Sequence, residues 1–568
     1  MKKFVTLALA GIMALSLTAC GSKGTGGSGK GNVLTVGCVE LNGTFSPLYS
    51  STVYDGYVVD MVYEKLLSFD LNNQMAPELA ESYEMSKDGK EVTFKLRKDA
   101  VFSDGTPLTA KDVEFTFKVL SDPSYSGRYP NVVAPLVGYE DYHNKDNKSE
   151  PKYPGIEVVD DYTIKFKFSK VKNDNLVNLA TTCGIISYNQ FKDTYKYKNT
   201  KPIEEAIQKP MGTGPYVLKD WQKGSGASFE KNPEYKGDGY AIEKVIIKPV
   251  EQTTQLQELT EGNIDLLPNM ASPKTVGPAS NDKNLTFNRF TGSAVAYLAL
   301  NNANGATADK AVRKALAYAF DRESLNNSYF ECKDCSFKES IAYTPTTLNN
   351  PISAIGDVVT GKEKLDGLDP YPYDIEKAKK VLDDAGWKMG SDGVRAKDGQ
   401  KLTVKYLATK DSGYVDAIVN VLNKDWKQTL GVDLQVATVD FNTVVDKITS
   451  EASLNEWNMF SIGVSFTTDS MADLLTMIHS DFIGDQMDNY VHLNDPKLDD
   501  LLDKALAEVD AAKSADYWKQ ACIQLNDDAA YIPTYGNDVF DLYNKRIKNL
   551  KTSALHLWPA ALKEATIE

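Results

Sequence analysis

Histidine is scarce in this chain: only His143, His479, His492 and His556 occur in 568 residues, and they stand far apart. With no His-Glu-x-x-His and no Cys/His cluster, a zinc protease or a bare metal-ion site is not expected, and no cofactor is called for. Cysteine is sparse too, six in all. Positive charge is in deficit, 63 Lys and Arg against 78 Asp and Glu, for a net charge of −15. That balance argues against nucleic acid or anionic lipid as the main partner, since both reward a basic face. Beyond residue 20 no apolar run approaches the roughly 20 residues that span a bilayer. Ser169-x-x-Lys172 has the spacing of a penicillin-binding serine, but it closes a predicted strand and lacks the partner motifs. No catalytic residue is assigned, and an exported hydrolase stays only as the remote alternative.

What is present begins with the leader. Lys2 and Lys3 precede an apolar run from Phe4 to Leu17, and Leu17-Thr18-Ala19-Cys20 closes it with small residues. This is the order of a secretory signal peptide, residues 1–19, too short for a stable span. Leu-Thr-Ala-Cys resembles the bacterial lipobox, which implies acylation of Cys20 and cleavage before it. The expectation is an exported protein tethered by lipid to the outer face of the cell membrane, with no other membrane contact. Residues 20–32 read as a flexible Gly/Ser/Lys tether with ends on the order of 20 Å apart. Its Gly24-x-Gly26-x-x-Gly29 matches a dinucleotide fingerprint by chance, because no strand precedes it and no helix follows.

From Val33 onward, helical and strand patterns mix at 42% hydrophobic and 25% charged residues, an ordinary globular composition. The length implies two or three domains. Val92, Phe94 and Leu96 alternate with polar neighbours, as do Ile164, Phe166 and Phe168, and both runs predict half-exposed strands. Thr109 with Asp112 predicts a capping box opening a helix that turns Val113, Phe117 and Leu120 inward. Val312, Ala315, Leu316 and Ala319 form a helical stripe. Asp374 predicts the N-cap of a helix ending at Gly386. A last helical region is expected over 499–527 with a break near Ser514. Cys332-Lys-Asp-Cys335 is read as a local disulfide in an oxidising compartment in preference to two free thiols. Cys522 falls in stripe with Trp518, Ala521 and Leu525, as a buried thiol would.

Four blocks carry a resemblance. The first is Met75-Ala-Pro-Glu-Leu-Ala-Glu-Ser-Tyr83, running through Thr93–Arg97 to Phe102–Val113. The second is Gly212-Thr-Gly-Pro-Tyr216 with Asn232-Pro-Glu-Tyr235, where the glycines predict a tight approach before a strand. The third runs from Leu298-Ala-Leu-Asn301 to Val312–Asp321, with Asn301 either near an interlobe crossing or in a simple turn. The fourth is Tyr373–Trp387. In order and spacing they resemble the family 5 extracellular solute-binding proteins, the oligopeptide and dipeptide receptors of ABC importers. The resemblance implies an α/β, periplasmic-binding-protein-like, pear-shaped fold of the cluster C type, with a ligand cleft between two hinged lobes. It implies a discontinuous first lobe (33–72, 208–290 and 530–568), an inserted small lobe (73–207) and a closing lobe (291–529). It also implies a receptor, not an enzyme, that captures short peptides and delivers them to permease subunits and their ATPases. A nickel complex, haem, an oligosaccharide or a signalling peptide is the alternative ligand.

Three stretches are candidates to touch that ligand. Glu40, Asn42 and Gly43 follow an early strand, where the family offers backbone groups; an ordinary turn is the alternative. Tyr531-Ile-Pro-Thr-Tyr535 resembles the segment that returns a tyrosine, Tyr535, to the cleft. The third stretch, Gly463–Asp473, departs from the Trp-x-x-Asp pattern with which many peptide receptors hold an α-ammonium. One alignment puts Val464 and Thr467 at those positions; another puts Asp469 at the first Asp of an Asp-Pro-Asp run. Ser465, Thr467 and Asp469 are therefore the candidates there, with Asp469 either a ligand anchor or the cap of a helix starting near Met471.

Overall fold

The computed structural model of the protein describes residues 31–568 apart from Arg128, Val171, Asn173, Asp411, Thr467 and Gln486. The leader, Cys20 and nearly all of the tether lie outside the described residues. The chain begins with β1 (Val33–Cys38) and α1 (Val53–Val62). The strands β2 (Ala80–Met85), β3 (Glu91–Leu96), β4 (Ile156–Asp160) and β5 (Thr163–Lys167) form an antiparallel sheet in the order β2-β3-β5-β4. Its alternation is the one the sequence predicts: Val92, Phe94, Leu96, Ile164 and Phe166 are buried. Helix α2 (Ala110–Leu120) covers that face, with Phe117 edge-on to Phe166 at 4.8 Å between ring centroids. The Asp112 carboxylate accepts the Thr109 amide at 2.9 Å, which satisfies a donor the first turn leaves unpaired. Helix α3 (Asn175–Thr181) follows.

An eleven-stranded mixed sheet runs through the molecule. After β1 it takes β6 (Tyr216–Gln222), β7 (Gly226–Lys231), β8 (Lys244–Pro249) and β9 (Leu266–Met270). Beyond α4 (Pro273–Asn281) comes the long β10 (Leu285–Leu300), then α5 (Lys310–Tyr318), β11 (Ala342–Tyr343) and α6 (Ile375–Asp384). Next are β12 (Thr403–Thr409), α7 (Gly413–Leu422), β13 (Asp433–Val439), α8 (Phe441–Ile448) and β14 (Met459–Ser465). The helices α9 (Pro496–Ala507) and α10 (Ala511–Asp528) and the strand β15 (Tyr531–Asn544) complete the set. The order is β13-β12-β14-β10-β15-β9-β1-β8-β7-β6, with β11 paired to β15.

The long strands β10 and β15 pair antiparallel from Leu285 opposite Asn544 to Ala299 opposite Tyr531, with an irregularity between Thr291 and Val295. They carry the sheet between two packed regions. One hydrophobic cluster unites residues from Leu34 to Leu266 with Tyr543 to Ala565; two others lie wholly within Val295–Ile532. A smaller cluster, with Val276, Phe330 and Phe540, sits between them. Among the described residues no helix is long and apolar enough to cross a membrane.

Val312, Ala315, Leu316 and Ala319 are buried, and Asp374 caps α6 by accepting the Lys377 amide at 2.9 Å. A methyl group on Gly212 would stand 2.1 Å from the Val62 carbonyl oxygen, so the expected tight approach is to the end of α1. Cys332 and Cys335 form a disulfide with Cα atoms 5.4 Å apart, and Cys522 is buried beside Trp518. The helix break is not at Ser514. It falls at Glu508–Asp510, where Asp510 caps α10, while Ser514 lies inside α10 and donates to the Ala505 carbonyl at 2.8 Å. Ser514 bridges the two helices, a role its polarity disguised as a breaker. Asn301 takes the turn role: its Oδ1 accepts the Ala303 amide at 2.9 Å and its Nδ2 donates to the Leu454 carbonyl at 3.0 Å.

Candidate ligand site

The strands β13 and β14 both run parallel to β12, so Thr409, Val439 and Ser465 end at one edge of the sheet. Helices α7 and α8 start just beyond that edge, capped by Ser412 and Asp440. The crevice outside the carboxyl ends of parallel strands is where open α/β sheets bind ligands. A cavity of about 210 Å³ lies there. Its floor is a single row of the sheet, because Gly463 of β14 pairs with Ala296 of β10, and Ala296 pairs with Tyr535 of β15. Tyr535 is half-buried, and its ring packs edge-on to Tyr414 at 4.6 Å and tilted to Phe330 at 4.8 Å. Burial pushes its hydroxyl pKa upward. Tyr414 is fixed in turn by donating to Asn326 Oδ1 at 2.7 Å.

The segment after β14 is built around Asn350, which is wholly buried. Its Nδ2 donates to the carbonyls of Thr468 at 2.9 Å and Ser470 at 3.0 Å. Thr468 Oγ1 donates to the Asp473 carboxylate at 3.2 Å. The short helical turn Met471–Leu474 is capped by Ser470, whose Oγ accepts the Ala472 amide at 3.0 Å. The cap is thus Ser470 and not Asp469. Asp469 is half-buried, and among the described residues no side-chain donor reaches its carboxylate. Burial raises its pKa. Thr467 lies outside the described residues, and Ser465 is exposed at the end of β14.

Two further acids complete a cluster that sequence reasoning missed. Burial pushes the Asp473 carboxyl up to about 7, and the negative charges of Asp174 and Asp469 add to the shift. Asp174 immediately precedes α3, nearly 300 residues away in sequence. Its Oδ2 accepts from Asn178 at 3.0 Å, whereas its Oδ1 is buried with no hydrogen-bond partner among the described residues. Burial raises the Asp174 carboxyl, and Lys172 opposes that rise. Carboxylates withdrawn from water near one another are costly unless a cation or a proton joins them. Asp473, four residues from Asp469, was visible as a second acid; nothing in the sequence marked Asp174.

The stretch after β1 is arranged differently. The amides of Asn42, Gly43 and Thr44 point to the buried Asp55 carboxylate of α1, at 2.9, 3.3 and 3.2 Å. Gly43 adopts φ +87°, and a methyl group there would meet the Trp221 ring at 2.5 Å. The side chains of Glu40 and Asn42 are exposed. Among the described residues no hydrogen bond, ion pair or ring contact joins this stretch to Ser465, Asp469 or Tyr535.

The sequence profile of the bacterial extracellular solute-binding proteins, family 5 Middle, matches residues 74–486. The chain belongs to this family. Its relatives include the oligopeptide-binding protein OppA of Lactococcus lactis subsp. lactis, 27% identical over 511 residues, which cover 84% of this chain and 79% of that protein. Among solved structures, Bacillus subtilis AppA in complex with a nonapeptide superposes with a TM-score of 0.71 at 22% identity, covering 94% of this chain and 99% of that one. Campylobacter jejuni NikZ in complex with Ni(L-His) gives 0.72 at 24% identity, covering 94% and 99%. At these identities the two superpositions establish the fold. This family 5 protein is therefore an extracellular solute-binding protein whose parallel-strand edge and Asp469 loop lie within the matched residues.

Proposed function

We propose that this protein is the receptor of an ABC importer that captures short peptides between hinged lobes and hands them to the permease, without chemical turnover. In this reading the lobes are those expected from the sequence, and β10 and β15 are the strands that cross between them. Peptide selection rests on one observation above the rest: Asp469 offers a half-buried carboxylate with no described side-chain donor, beside Asp473 and Asp174. A peptide α-ammonium supplies the missing positive charge and the hydrogen bonds together. Strand-like pairing to the peptide main chain would supply affinity indifferent to side chains. The oligopeptide-binding relatives support the same reading.

The test is a thermal-shift screen of unmodified tri- to hexapeptides against the exported chain. A ligand that binds only the folded form adds about 2.7 kcal/mol at a hundredfold excess over Kd. The midpoint is expected to rise with peptides, and the peptides are expected to be recovered intact. Stabilisation by a nickel–histidine complex and by no peptide would replace the ligand class; cleaved peptides would replace the receptor reading with an enzyme.

The lipid anchor belongs to the same proposal. Cys20→Ala is expected to move the protein from the membrane pellet into the soluble fraction of expressing cells. Quantitative sedimentation of that variant with membranes would refute anchoring through Cys20.

A further inference from the structure

We infer that the cavity at the β12–β14 edge is a selectivity pocket for one uncharged, ring-bearing or branched side chain of the ligand, and that Gly463 sets its depth. The inference rests on the peptide reading above and adds a preference that reading does not contain.

The pocket exists because two adjacent positions in one row of the sheet carry almost no side chain. Gly463 has none and its partner Ala296 has only a methyl, while the next residue in the row is Tyr535. Neighbouring positions of a sheet face normally fill each other's space. Here they leave a notch walled by the Tyr535 and Tyr414 rings. Phe441, the first residue of α8, also lines it and is 49% exposed. A large aromatic half in water at the rim of an apolar notch gains burial when a ligand group enters beside it. The volume, about 210 Å³, suits one side chain and not a whole peptide, since pockets for drug-sized ligands run to roughly 300–1,000 Å³. An apolar cavity of about 150 Å³ suffices for a benzene ring.

The chemistry of the walls fixes the class of guest. Among the described residues no Asp, Glu, Lys, Arg or His lines the cavity. The hydroxyls of Tyr414 and Ser461 are engaged, by Asn326 and Tyr406 respectively. A charged side chain would enter without a counter-ion and lose its hydration, which selects against Lys, Arg, Asp and Glu. Selection by an apolar pocket is modest, typically tenfold to about two-hundredfold.

Gly463 provides the test, because its backbone needs no glycine. A Cβ there would meet nothing nearer than the Val295 carbonyl oxygen at 3.8 Å, and its φ is not in the left-handed region. Gly463→Leu should therefore fold and fill the notch. The experiment is calorimetric titration with alanine tetrapeptides carrying Phe, Leu, Lys or Asp at each position in turn. In the wild type, one position is expected to favour Phe and Leu over Lys and Asp by tenfold or more. Gly463→Leu should abolish that preference with an unchanged thermal midpoint, and Phe441→Ala should reduce it several-fold. If peptides bind with no such preference at any position, or if both variants keep it, the pocket inference is wrong while the peptide reading stands. If no peptide binds, the peptide reading fails and this guest with it.

Discussion

Asp469→Ala is expected to weaken binding of a peptide with a free amino terminus by roughly 30- to several-thousand-fold, because truncating one partner of a buried charge pair costs about 2–5 kcal/mol. The structure sharpens this expectation by removing the competing role. Ser470 caps the turn at Met471, so loss of Asp469 leaves that cap in place. The decisive measurement is a double-mutant cycle by titration calorimetry. Acetylating the peptide amine should cost the wild type about as much as the mutation does, and should cost Asp469→Ala much less, since both changes remove the same pair. Additive effects would show that the amine lies elsewhere, with Asp473, Asp174 and Glu40 the next carboxylates to test.

The second large effect is a gain of stability in the ligand-free protein. Asp473 titrates at about 7 in the fold, above its ordinary value of 3.8. A carboxyl with a raised pKa binds its proton more tightly when folded. Its contribution is therefore fully present below about pH 4 and is lost as pH rises through 7. At pH 8 the folded protein carries an ionised Asp473 amid the charges of Asp174 and Asp469. Asp473→Asn removes that charge and keeps an oxygen for Thr468 and Asn350. In urea unfolding at pH 8 the variant should be more stable than wild type by on the order of 2 kcal/mol, with the gain gone near pH 4. Comparing the two proteins at each pH cancels other raised carboxyls, such as Asp528 at about 6. Equal stability at pH 8 would mean that ionised Asp473 neither loses its hydration nor is repelled by Asp174 and Asp469 in solution. With a cationic peptide bound, the advantage should shrink or reverse, because the ligand replaces the proton.

Much of the fold was legible because it is written in local patterns. The alternation at Val92–Leu96 and Ile164–Phe168, the Thr109–Asp112 cap and the stripe from Val312 to Ala319 each depend on residues within a few turns or pleats of one another. The same holds for the Cys332–Cys335 pair, separated by three positions. Ser514 was misread for a tertiary reason, since the acceptor of its hydroxyl, the Ala505 carbonyl, belongs to the preceding helix.

The site divides along the same line. The sequence alone supplied the family blocks, the acidic and hydroxyl-rich character of the 463–473 stretch and the tyrosine at 535. Those are properties of residue type and order. Only the tertiary structure decided what surrounds them. It turned the amides of Asn42, Gly43 and Thr44 toward the buried Asp55 carboxylate, gave the Met471 cap to Ser470 and brought the charge of Asp174 to Asp473. It also aligned Gly463, Ala296 and Tyr535 in one row through strand register. Charge interaction and cavity shape depend on distance in space and on what excludes water, and neither quantity is a function of separation along the chain.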